Sequence, residues 1–94
     1  MKWLEIIELR SVGRNRELLE FQLQKLTKEV NKENERQTIK IYSHVAIDTD
    51  FSIHLLHDSN KADLNGSSLG TYLVSTLKEF GLINHSIWIE QIGA

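Results

Sequence analysis

Apolar and polar positions mix with a short period over residues 3–12, where Trp3, Leu4, Ile6, Ile7, Leu9 and Val12 surround Glu5, Glu8 and Arg10. Partly β-branched runs of this kind predict a strand. The alternation is imperfect. It leaves open whether Leu4 and Ile6 share a face with Glu8 and Arg10, or whether a bulge changes the register. After Gly13 the period lengthens. Leu19, Leu23, Leu26 and Val30, widened by Leu18, follow at steps of three and four and predict one face of a helix. Asn15 stands where an N-cap belongs, with Glu17 and Glu20 in the first turns to complement the helix dipole. The polar run over residues 31–37 has no period and ends that helix.

Alternation returns over residues 38–48. Ile39, Ile41, Val45 and Ile47 fall on one parity, and Lys40, Tyr42, His44 and Ala46 on the other. Asp48, Thr49 and Asp50 predict a turn. Phe51, Ile53 and Leu55 then continue an apolar parity, opposite Ser52, His54 and Leu56. A hairpin that keeps both apolar sets on one side must pair odd positions with odd ones. With this turn the expected partners are Ile47 with Phe51, Val45 with Ile53, and His44 with His54.

Residues 58–68 carry the chain's one substantial loop, with a turn signal at Asn65–Gly66. They form a plain connection to a second helix. Ser67 or Ser68 caps that helix, and Leu69, Tyr72, Leu73, Thr76, Leu77 and Phe80 form its apolar face. Gly81 is expected to end it in a left-handed cap, with Leu82 in contact behind. Residues 85–91 predict a fourth strand, Ile87 and Ile89 on one face and Ser86, Trp88 and Glu90 on the other. The element order β-α-β-β-α-β defines an α+β, ferredoxin-like fold. Its four-stranded antiparallel sheet carries two helices on one face.

Composition adds limits. The 94 residues make one domain, residues 1–94. A net charge of -2, with scattered Lys and Arg, gives no surplus to neutralise a nucleic-acid backbone. The chain has no cysteine, which excludes disulfides, thiolate metal sites and thiol nucleophiles. No run has the length to cross a bilayer, and the early residues lack a signal-peptide pattern, so a cytoplasmic protein is expected.

Two helices on one face leave the other face of the sheet bare. The candidate functional residues lie there. Tyr42 and Trp88 can stack on an aromatic ligand or anchor an interface. Arg10 can hold an anion through its planar fork. His44 and His54 can line a ligand site, or lie partly buried in a dimer interface, hydrogen-bonded to Tyr42 or Glu90. Two imidazoles begin a metal site, but the sequence fixes no third ligand, so neither a metal nor a cofactor is expected.

The run Leu69-Gly70-Thr71-Tyr72-Leu73, the run Phe80-Gly81-Leu82-Ile83-Asn84-His85-Ser86-Ile87-Trp88, and Glu8-Leu9-Arg10-Ser11 before the first helix together carry a resemblance. They resemble the antibiotic biosynthesis monooxygenase-like group of the dimeric α/β-barrel superfamily. The resemblance implies a homodimer whose open sheet faces meet and form a barrel. It also implies a small-molecule site inside, with monooxygenase-like activity. Haem-degrading members carry an axial histidine on a helix, and none of His44, His54, His57 and His85 is predicted on one. The alternative expectation is a non-enzymatic ligand-sensing or protein-interaction module of the same fold.

Overall fold

The odd positions of the first strand decide where the core lies. Trp3, Glu5, Ile7 and Leu9 are all buried, while Lys2, Glu8 and Arg10 are exposed and Leu4 and Ile6 half-buried. The computed structural model describes residues 1–33 and 37–91. Its elements are β1 (Lys2–Ser11), α1 (Arg16–Glu33), β2 (Gln37–Ser43), β3 (Asp50–Asp58), α2 (Ser68–Leu77), one 3₁₀ turn (Lys78–Phe80) and β4 (Gly81–Ile89). The sheet order is β2-β3-β1-β4, with every neighbouring pair antiparallel. This is the ferredoxin-like α+β fold.

α1 packs over β2, and α2 over β1 and β4. Both helices therefore bury the odd face of the sheet. Leu19 and Leu23 from α1, and Leu73 and Leu77 from α2, meet Ile7, Leu9, Ile39, Ile53, Leu55 and Phe80 in one cluster. Leu26 and Val30 pack against its side. β1 pairs with β3 in an unbroken register from Lys2 to Arg10. No bulge intervenes, so Leu4 and Ile6 do share the open face with Glu8 and Arg10.

The β2–β3 hairpin differs from expectation. β2 ends at Ser43, and the partners are Ser43 with Phe51, Ile41 with Ile53, and Lys40 with His54. Odd still pairs with odd, but the register is shifted, and His44 is not the neighbour of His54. The cause is local. His44 Nδ1 accepts the amides of both Ala46 and Ile47 at 3.0 Å, which closes a turn where the alternation pattern continued a strand. Val45 is consequently 100% exposed instead of buried.

Other expectations also change. Asn15 has φ 55, so it enters α1 from the left-handed region rather than as an extended cap. Its carbonyl still accepts the first helical bond, from Leu19. Asn31 continues α1, and residues 34–36 of the predicted polar run lie outside the described residues. Gly81 is extended, not left-handed. α2 tightens into the 3₁₀ turn, and β4 begins at once. Leu82 belongs to that strand and is exposed, and Tyr72 is exposed where helix core was expected. Gly70, one turn into α2, takes a buried position instead.

Candidate functional site

The paired registers arrange the even positions of the open face in rows that cross the sheet. Thr38, Leu56, Leu4 and Trp88 form the first row. Lys40, His54, Ile6 and Ser86 form the second, and Tyr42, Ser52, Glu8 and Asn84 the third. Asp50, Arg10 and Leu82 close the face at one end, and Lys2 with Asp58, beside Glu90, at the other. Charged residues stand at both ends, and the apolar row of Leu56, Leu4 and Trp88 lies just inside one of them. No helix or strand among the described residues covers it.

This geometry divides the six candidate residues. Trp88 and Glu90 border a groove of about 600 Å³ at one end, over Leu4 and Leu56 and beside the charged Lys2 and Asp58. Arg10, Tyr42 and His44 border a second of about 610 Å³ at the other end. Tyr42 and Trp88 sit at opposite corners, about 20 Å apart from strand spacing and rise. One small ligand on a single chain cannot touch both. His54 lies between, its ring 4.8 Å from that of Tyr42, with Ser52 Oγ at 3.0 Å from its Nε2. Arg10 faces Asp50 across the strands at 4.0 Å. Trp88 Nε1 donates to Ser86 Oγ at 2.9 Å. Glu90 lies just past β4, its amide bonded to Lys2 O.

The polar cluster with the most developed geometry lies on the other side of the sheet. Glu5 is fully buried on the core face of β1. His57 of β3 donates through Nε2 to Oε2 at 2.5 Å, and His85 of β4 through Nε2 to Oε1 at 2.9 Å. Ser67, the N-cap of α2, adds its amide to Oε1 at 3.0 Å and its hydroxyl to Oε2 at 2.5 Å. The same hydroxyl accepts from Gly70 N, so it caps the helix while it donates to the carboxylate. Four donors thus fill the carboxylate's acceptor sites. Behind them, Gln37 Nε2 meets His57 Nδ1 at 3.1 Å, which leaves that ring's proton on Nε2. Trp3 stacks on His57 with centroids 4.1 Å apart.

Backbone closes the remaining space. Gly66 has φ 88, and a Cβ there would lie 2.6 Å from both Glu5 Oε1 and His85 Cε1. A Cβ on Gly70 would overlap Glu5 Oε1. The carboxylate is a pin rather than an open site, and it joins β1, β3, β4 and the start of α2. Among the described residues no group of three or more His, Asp or Glu is arranged to hold a metal ion.

Burial alone would push the Glu5 carboxyl up. The hydrogen bonds from His57, Ser67 and His85 outweigh it and hold the pKa at about 2, below the ordinary 4.5. The charged form is therefore favoured by folding. Its contribution is complete above about pH 4.5 and is lost as pH falls toward 2. The expected result is a drop in the urea midpoint across that window, amounting to about 3 kcal/mol. A Glu5→Gln variant should lack that slope, and equal slopes in the two proteins would show that other carboxyls carry the acid response.

Sequence reasoning passed over Glu5 and the network role of His57 and His85. A signal was present. Each of the three stands on the core parity of its strand: Glu5 with Ile7 and Leu9, His57 with Ile53 and Leu55, His85 with Ile83 and Ile87. Compared with known proteins, the chain matches no family model, no curated protein and no solved structure.

Proposed function

We propose that two copies of this chain meet through their open sheet faces, as a dimeric α/β barrel, and enclose a small-molecule site between them. The carrying observation is the apolar row of the uncovered face. Trp88 is 58% exposed and Leu56 39%, with Leu4 half-buried between them. Apolar side chains gathered on a bare sheet face are characteristic of an interaction surface. An isologous contact lays this row on its own copy, and aromatic anchors such as Trp88 supply much of the energy of such contacts. The end grooves then become walled by two sheets, with Arg10 and Tyr42 available to an anionic or aromatic ligand.

Monooxygenase-like turnover without a resident cofactor is the narrower form of this reading. Its support is the resemblance of residues 69–73 and 80–88 to the antibiotic biosynthesis monooxygenase-like group. A second reading, a ligand-sensing or interaction module without turnover, is favoured by His44. Its Nδ1 is occupied by two turn amides, and it stands apart from His54, so the face has no paired imidazoles to move a proton.

Light scattering over a concentration series tests the dimer. At the dilute end of the series the native chain is expected at twice its 10.9 kDa mass, and Trp88→Glu at the monomer mass with unchanged circular dichroism. A native chain that stays monomeric throughout overturns the barrel.

A further inference from the structure

The sheet has two edges, and the chain treats them differently. Along β2, the pairing with β3 uses the even residues, as the bond from His44 N to Asp50 O shows, so the odd residues turn their amides outward. Ile39 is one of these. Its N–H donates to Asn31 Oδ1 at 3.0 Å, and its carbonyl accepts from Asn31 Nδ2 at 3.3 Å. A side-chain amide from α1 thus takes the place of a neighbouring strand. The same strand carries Lys40, a charge of the kind that discourages edge pairing.

The β4 edge has neither device. Its bonds to β1 also use even residues, as Glu90 N to Lys2 O and Val12 N to Phe80 O fix at the two ends. The N–H and C=O groups of Ile83, His85, Ile87 and Ile89 therefore point away from β1, and no strand pairs with them among the described residues. β4 is nine residues long and contains no Asp, Glu, Lys, Arg or Pro. Long, uncharged, unbroken edges are templates for another strand.

We propose that the outer edge of β4 pairs antiparallel with β4 of a second copy. Charge selects this occupant. A homotypic pair brings every charge of a strand toward its own copy, and like charges placed opposite destabilise a sheet. β4 has no Asp, Glu, Lys or Arg to bring, whereas a β2 pair that sets Ile39 opposite Ile41 would confront Lys40 with itself. Matching the outward amides pairs odd positions with odd ones, so Ile83 meets Ile87 of the second copy, or Ile89 in the next register. Both arrangements keep the helices of the two chains on one side and join their open faces into one eight-stranded surface. The contact uses main-chain groups that a face-to-face dimer leaves untouched, so either stands without the other.

Amide exchange by NMR on the ¹⁵N-labelled full chain, at low and high concentration, decides the matter. The even amides, Leu82, Asn84, Ser86 and Trp88, are expected to be slow at every concentration. The odd amides, Ile83, His85, Ile87 and Ile89, should be fast when dilute. On concentration they should slow together by about tenfold once only a tenth of the chains remain unpaired. Odd amides that stay fast at the highest concentration, or are slow in a dilute monomer, overturn the proposal. A face-to-face dimer with fast odd amides would leave the barrel standing and remove the edge contact alone.

Discussion

Glu5→Gln is expected to destabilise the fold by about 2–4 kcal/mol, the cost of leaving one or two buried donors without an acceptor. Glutamine keeps the shape but offers one acceptor oxygen and turns an NH₂ toward donors. His57 Nε2, His85 Nε2, the Ser67 amide and the Ser67 hydroxyl all aim at the carboxylate. At least one donor must then face another in a space closed by Gly66 and Gly70. A domain of this size has about 5–15 kcal/mol in all, so the loss is a large share. Urea unfolding followed by the fluorescence of Trp3, which stacks on His57, measures it directly. Glu8→Gln, on the exposed face of the same strand, should stay within about 0.5 kcal/mol and serves as control. A Glu5→Gln loss as small as the control's would mean that the network holds nothing.

Gly70→Ala reverses an ordinary expectation. Glycine inside a helix is normally about 1 kcal/mol worse than alanine, so the exchange should stabilise α2. Here the added methyl would overlap Glu5 Oε1, and making room means breaking the four hydrogen bonds that hold that carboxylate. Overpacking of this kind costs about 1–3 kcal/mol, enough to invert the sign. Thermal unfolding gives the answer in one comparison. A raised midpoint would show that helix propensity prevails and that the carboxylate can move.

The sheet and both helices were legible because they follow from periodicity. Leu19 and Leu23, Leu73 and Leu77, and the odd residues of β3 fall on the faces their spacing predicts. The β2–β3 register was not legible, because the alternation of Val45 and Ile47 points to a longer strand. Only the ring of His44, folded back on the amides of Ala46 and Ile47, ends it sooner. The open face and its aromatic residues could be placed by parity. Their division into two grooves could not, since it depends on the register of three strand pairs at once. Glu5 was obscured because Leu4 and Ile6 beside it are also apolar, so β1 showed no single core parity. Its partners come from β3, β4 and the cap of α2, and no local pattern joins them.

That dispersal has a consequence for how the chain is made. The donors to Glu5 lie 52, 62 and 80 positions further on. During synthesis residue 5 leaves the ribosome 80 residues ahead of residue 85. Until β4 docks, Oε1 lacks its bond from His85. Contacts so distant in sequence are the slow ones to form. The network is therefore satisfied only in a chain whose β4 is present and correctly docked. A single side chain of β1 thus acts as a check that β4 has been delivered.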